Sequence, residues 1–294
     1  MSRSLPSLFA IAILNVMTVA TASAVPQQTA RLNIAPVYEG WEQNPDGSYD
    51  MIFGYFNRNW NESIDVPAGA SNSFEPGPAD RGQPTHFMPR RNQFVFRVRV
   101  PKDFGNRELV WTLTSNGKTE KAYGSLKPDY IVNATVMAAN FGAGGQTGTV
   151  PDLVGNVGPM LKVDGEQTRR VKVGEPVLLT AVATDDGKPR VRPMLGGPGS
   201  RTVPNSSTGL RLVWIQYRGA GEVTFDPPQF SAWEDTRDGA NSPWAAGWRP
   251  PAIPPENKWQ VRATFKTPGE YVLQCIAHDG ALTAMENVTV IVTP

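Results

Sequence analysis

The sequence predicts an all-β chain of two β-sandwich domains. Short stretches rich in Val, Tyr, Phe and Trp alternate with polar residues, 28 Gly and 27 Pro punctuate them, and no convincing amphipathic helical stretch appears. Length agrees: about 270 residues remain after a leader, which suits two domains of ordinary size.

Residues 1–24 read as a cleaved signal peptide and lie outside the fold. Arg3 opens it, Leu5 to Ala20 is almost wholly apolar, and Ala22-Ser23-Ala24 forms a small-residue cleavage site. An anchor helix would need roughly 20 apolar residues. The mature protein is therefore expected in the periplasm, on the cell surface or outside the cell, with no integral membrane segment. The chain carries 28 Lys and Arg against 27 Asp and Glu, and removing the leader takes away only Arg3. A neutral chain has no long-range field to recruit nucleic acid, so no nucleic-acid partner is expected. Cys275 is the only cysteine, which excludes an intrachain disulfide. Its place on an apolar strand face predicts a packed, inert thiol.

The first domain is predicted over 31–136. Leu32 to Trp41 forms a strand, Asn44-Pro45-Asp46-Gly47 turns it, and Tyr49 to Phe56 returns as a central strand. From Asn57 to Arg91 a long loop is expected with one short strand, Ser63 to Val66. Phe94, Phe96, Val98 and Val100 then alternate with outward Arg97 and Arg99. Leu109, Trp111 and Leu113 repeat the pattern, and Asn116-Gly117 supplies a hairpin turn into Lys118 to Ser125. Residues 137–168 form a Gly/Pro-rich linker around Gly142 to Gly148. Its glycines do not make a phosphate loop, since no Gly-Lys-Ser/Thr closes the motif.

The second domain is predicted over 169–294. Val171 to Val173, Val177 to Ala183, Leu210 to Tyr217, Glu222 to Phe225, Trp259 to Phe265, Tyr271 to His278 and Val288 to Val292 give seven strands, the count of an immunoglobulin-like sandwich. On the sixth, Tyr271, Leu273, Cys275 and Ala277 share the core face while Gln274 and His278 take the other. Trp214 and Trp259 are expected in the core.

Gly174-Glu175-Pro176-Val177-Leu178-Leu179-Thr180-Ala181, Asp185-Asp186-Gly187, Leu212-Val213-Trp214-Ile215-Gln216, Gly219 to Phe225 and Phe265 through Gly280 together resemble the polycystic-kidney-disease (PKD) type of immunoglobulin-like domain over residues 170–293. Where that family commonly has Phe-Gly-Asp-Gly after the tryptophan, this chain has Tyr217-Arg218-Gly219-Ala220-Gly221. The resemblance implies a noncatalytic module of exported and surface proteins, used as a spacer or as an adhesive or carbohydrate-associated appendage. The first domain resembles β-sandwich segments of exported bacterial proteins around Gly54 to Asn59 and Asp80 to Phe87.

In such a sandwich the connections Gly187 to Gly209, Pro227 to Lys258 and Asp279 to Leu282 emerge at one pole, and long loops are often functional. Phe230, Trp233, Trp244 and Trp248 lie in the second of them and are the candidate ligand-binding residues, because exposed aromatic rings bind sugars and partner side chains. The alternative is that they fold back over the sandwich end. At the same pole Asp185, Asp186 and Asp279 are candidate ligands for a hard cation such as calcium, against their ordinary use in turns. His86 and His278 are read as surface groups. A second candidate surface is the first-domain loop with Asn57, Arg58, Asn59, Trp60, Asp80, Arg81, His86, Arg90 and Arg91, where Arg beside carboxylates more often builds structure than a ligand clamp.

No Gly-x-Ser-x-Gly, His-Glu-x-x-His or spaced Cys/His set is present, so no enzyme is expected, although His278 beside Asp279 keeps a hydrolase as a minor alternative. The expected function is that of an exported noncatalytic interaction or adhesion protein with a protein or glycan partner. The rival is a structural component of an envelope or extracellular assembly, joined through an exposed strand edge.

Overall fold

A computed structural model describes residues 31–140, 153–191, 208–229 and 253–294 of the chain. The signal peptide, Gly142 to Gly148, and Phe230, Trp233, Trp244 and Trp248 lie outside the described residues. The chain is all-β, in two sandwiches whose described strands pair antiparallel except for one parallel pair, 168–172 with 289–293.

The first sandwich contains β1 (Ile34–Gln43), β2 (Tyr49–Asn57), β3 (Ile64–Asp65), β4 (Asn72–Glu75), β5 (His86–Phe87), β6 (Arg90–Val100), β7 (Leu109–Ser115) and β8 (Lys118–Gly124). β1-β2-β6 faces β4-β7-β8, and β3 pairs with β5 in a small ribbon. β2 is central, as its two apolar faces predict. Met51, Phe53 and Tyr55 point into a core shared with Phe96, Val98, Leu109, Trp111 and Leu113. Trp111 packs flat on Phe74 at 5.7 Å and edge-on to Phe53 at 6.0 Å, geometries aromatic rings favour. Asn116 and Gly117 both have positive φ, the hairpin turn their dipeptide predicts.

Two expectations are corrected here. The stretch 57–91 holds three short strands rather than one, because a polar residue organises it. Asn72 is fully buried; its amide donates to the Val66 and Pro84 carbonyls and accepts from Trp111 Nε1 at 2.9 Å. Phe94 does not share a face with Phe96. Its φ of 51° and a register shift between β2 and β6 turn it to the opposite face, against Ile52.

The expected linker is partly ordered structure. Helix α1 (Ala134–Asn140) begins where the Asn133 side chain caps the Val136 N–H at 3.0 Å, and it buries Met137 and Ala138. β9 (Met160–Val163) follows, an eighth strand of the second sandwich that begins ahead of the predicted start at 169.

The remaining strands are β10 (Thr168–Lys172), β11 (Val177–Thr184), β12 (Arg211–Arg218), β13 (Val223–Asp226), β14 (Lys258–Phe265), β15 (Gly269–His278) and β16 (Thr283–Thr293). They form the sheets β9-β11-β14-β13 and β10-β16-β15-β12, the two-layer order of an immunoglobulin-like sandwich. Tyr271, Leu273, Cys275 and Ala277 fill its core with Trp214, Trp259 and Phe265, as expected. Burial, with Glu286 nearby, pushes the Cys275 thiol well above its ordinary range, so the thiolate is suppressed. The Tyr271 hydroxyl reaches back to the Thr267 and Ala220 carbonyls at 2.9 and 2.8 Å, pinning the turn before β15. Gly219 makes this possible, since a Cβ there would stand 2.5 Å from the Tyr271 ring.

Register fixes the poles. Val182 pairs with Lys258, Arg211 pairs with His278, and the Gly209 N–H donates to the Asp279 carbonyl at 2.7 Å. The described residues that flank 192–207 and the residue where 230–252 rejoins β14 therefore stand at one pole of the sandwich.

Candidate functional site

The two sandwiches meet along a seam, and the seam is built from β12. Every β12 residue except Arg218 is buried, on both faces. The inner face, Leu212 and Trp214, packs in the second core. On the outer face Tyr217 reaches into the first core and joins its aromatic cluster. Its hydroxyl donates to the Gly82 carbonyl at 2.5 Å, and burial raises its pKa far above the ordinary phenol value.

Hydrogen bonds surround Tyr217. Arg218 makes a two-pronged ion pair with Asp80 at 2.6 and 3.0 Å and donates a further bond to the Gln83 carbonyl. Arg218 holds the Asp80 carboxyl below its ordinary pKa. The Thr85 N–H donates to the Tyr217 carbonyl, Gly219 N–H to the Thr85 hydroxyl, and Gly221 N–H to Asp65, whose other oxygen contacts His86 Nδ1 at 2.7 Å.

Beside this latch a cleft of about 360 Å³ opens along the seam. One wall is Met88, Pro89, Arg90 and Trp60 of the first sandwich; the other is Ile215, Gln216, Val223 and Phe225 of the second. Its size falls at the small end of ligand sites, and its mixture of apolar walls with a few polar groups is typical of them. The Arg90 guanidinium lies 3.7 Å from the Trp60 ring centroid, a cation–π stack, and Arg90 Nε donates to the Trp60 carbonyl. The loop that presents Trp60 is held by amides: Asn57 donates to the Glu62 and Phe87 carbonyls, and Asn59 bonds both the N–H and the carbonyl of Leu32.

The second candidate surface named in the sequence thus divides. Trp60, His86 and Arg90 line the cleft. Asn57, Asn59, Arg58 with Glu120, and Asp80 with Arg218 hold structure. Arg91 pairs with Glu39 at 2.6 Å, nearly out of solvent, on the far side of β2. Burial raises the Glu39 pKa and Arg91 opposes the rise.

At the pole, Asp185, Asp186 and Asp279 do approach one another. Burial raises the Asp185 pKa, with Asp279 and Asp186 adding repulsion. Most of their oxygens are already engaged: in turns, Asp279 accepts from the Ala281 and Leu282 N–H groups at 2.6 and 2.7 Å, Asp186 from Lys188 N–H and Asp185 Oδ2 from Gly187 N–H, while Asn156 and Val157 N–H reach Asp279 and Asp186 from a distant segment; Asp185 Oδ1 is buried without a partner among the described residues. Among the described residues no group of three or more His, Cys, Asp or Glu is arranged to hold a metal ion.

His278 is not a surface group. It is 7 % exposed, and burial, then Arg211, hold its pKa well below that of a free imidazole. Arg211 itself is lowered to about 10 by burial, against the pull of Asp279. His86 is half-buried against Asp65.

Sequence reasoning missed Ile215, Gln216, Val223 and Phe225 as cleft residues. The available signal was Leu212-Val213-Trp214-Ile215-Gln216-Tyr217, which is apolar on both faces. A strand of that kind needs cover on each side.

No protein-family model matches the chain, and no curated protein matches it. Among solved structures it is similar to the titin domains Z1Z2 in complex with telethonin, at 7% identity over 87% of this chain and 90% of that one, TM-score 0.24. It is also similar to domains 4 and 5 of the S-layer protein SbsC (11% identity, 90% of this chain and all of that one, TM-score 0.25) and to the Yersinia pseudotuberculosis adhesin InvE (10%, 88% and 58%, TM-score 0.23). At those scores and identities the reading of the site rests on the geometry above.

Proposed function

We propose that the chain is an exported, noncatalytic interaction protein, its second sandwich of the PKD type, that binds a protein or glycan partner through the seam cleft. The observation that supports this most is the latch at Tyr217 and Arg218. It fixes the two walls of the cleft relative to each other before any partner arrives, and a preorganised site loses less freedom on binding. The test is affinity capture from envelope and culture-fluid extracts by the immobilised mature chain, followed by titration of each purified candidate, with a glycan array in parallel. Saturable binding that weakens in Phe225→Ala is expected. Absence of any saturable partner in both arms overturns the reading.

A second reading, assembly through an open edge, draws on β9, where Met160 is 71% exposed beside exposed Val157 and Val154. Light scattering decides it: mass that rises with concentration supports assembly, and a constant monomer mass removes it.

A further inference from the structure

The wall that β12 gives the cleft is a sheet edge. Among the described residues β12 is the last strand of its sheet. At one point its outward carbonyl, on Tyr217, takes the Thr85 N–H; at another its outward N–H, on Trp214, is met by the Gln229 side chain at 3.1 Å. Trp214, Ile215 and Gln216 are consecutive, and all three line the cleft. Successive strand residues project to opposite faces, so three in a row facing one hollow present their backbone edge. Bonding direction repeats every second residue, which turns the Gln216 backbone the same way as that of Trp214. Across the hollow, the chain is hydrogen-bonded to β12 at Thr85, just before β5, and lines the opposite wall at Met88, Pro89 and Arg90, so the hollow lies between that segment and β12.

Resting on the interaction reading above, we propose that the cleft takes an extended peptide of a partner protein, which adds to β12 beside Trp214–Gln216 and seats one apolar side chain between Pro89 and Phe225. Two observations favour a peptide over a sugar. Arg90 already covers one face of Trp60, the ring that would otherwise be a flat platform. Met88, Pro89, Ile215, Val223 and Phe225 make an apolar lining suited to one aliphatic or aromatic side chain. A strand advances about 3.3 Å per residue, so roughly three peptide residues would lie along this edge.

The probe is a set of capped seven-residue peptides, Thr-Thr-Val-X-Val-Thr-Thr, with each amino acid in turn at X, measured by surface plasmon resonance against the full mature chain. Binding should require Leu, Ile or Phe at X, and N-methylation of the residues flanking X should weaken it about tenfold or more, since it removes strand hydrogen bonds. Ser63 is exposed at the cleft and outside both cores. Ser63→Trp should fill the mouth and weaken binding about tenfold, while Ser63→Ala stays within about twofold. Equal thermal midpoints for both variants show that folding is intact. The proposal is overturned if no peptide of the set binds, or if binding ignores N-methylation or Ser63→Trp. A glycan whose binding Ser63→Trp abolishes would overturn the peptide occupant and leave the interaction role standing; failure of the extract and glycan tests removes both.

Discussion

At the Tyr217 end of the seam the sandwiches meet through hydrogen bonds and an ion pair, whereas at the Leu282 end they meet through apolar side chains gathered around α1. There Leu282 packs on Ile52, Phe94, Val132 and Met137, and Ala281 on Ala138. Directional bonds specify one orientation, and apolar contact supplies burial without specifying angle. The two ends lie at opposite ends of β15, since Arg218 pairs near Val272 and His278 precedes the Ala281 turn. Fixing both ends holds the sandwiches side by side along the strand direction. A Gly/Pro-rich connector alone would not do that.

The comparison breaks most sharply at Tyr217, which belongs to both kinds of contact. Tyr217→Ala should cost about 3–5 kcal/mol in denaturant unfolding, the range for deleting a buried aromatic ring. Tyr217→Phe keeps the ring and removes only the bond to Gly82, so about 1 kcal/mol is expected. Equal losses for the two variants would show that the ring contributes nothing at the seam. At the apolar end, Met137→Ala should cost about 2–5 kcal/mol by leaving a cavity beside Ile52 and Phe94. A loss near zero there would make α1 a passive connector, as the sequence first suggests.

The pH dependence sharpens the same contrast, because His278 sits at the apolar end and is buried. Its folded pKa is below the unfolded value, so its contribution is fully present above about pH 6.5 and is lost as pH falls below that toward the folded value. The unfolded chain takes up a proton that the folded chain refuses. Unfolding free energy should drop by up to about 1.4 kcal/mol per pH unit in that window, and the extra slope should vanish in His278→Gln but persist in His86→Gln. The charged groups facing His278 are Arg211 and, beyond it, Asp279. A slope unchanged in His278→Gln would assign the acid sensitivity to other groups.

Much of this architecture is legible in the letters. Alternation at Met51-Phe53-Tyr55, at Leu109-Trp111-Leu113 and at Tyr271-Leu273-Cys275-Ala277 reports one buried face directly, and each lands in a core. What stays hidden is whatever depends on a second burial. Period-2 reasoning assigns Gln274 and His278 to an outer face, and nothing in β15 itself reveals that this face is covered too; only β12, apolar on both faces, signals a second burial. β4 hides for a different reason: Asn72 is organised by side-chain hydrogen bonds, so apolar spacing carries no trace of it. The cleft is hidden twice over, since its walls come from residues some 130 apart in sequence, joined only by contacts such as Tyr217 to Gly82.

The smallest expected effect lies at the ionic part of the latch. Asp80→Asn removes the charge while keeping one oxygen that the terminal nitrogens of Arg218 can still approach. Asp80 is half exposed, so water and salt screen the pair and the loss should be only about 0.5–1 kcal/mol, shrinking further in high salt. Because Arg218 lowers the Asp80 pKa, the pair's contribution is present above about pH 4 and disappears as acid protonates the carboxylate, a window well below that of His278. Measuring wild type and Asp80→Asn at low and high salt separates charge from geometry. If the variant is as stable as wild type in both, orientation at this end rests on Tyr217 and on the remaining bonds around it, from Arg218 to Gln83 and at Thr85, Gly219 and Gly221. If the loss exceeds that of Met137→Ala, the assignment of strength to the apolar end is reversed.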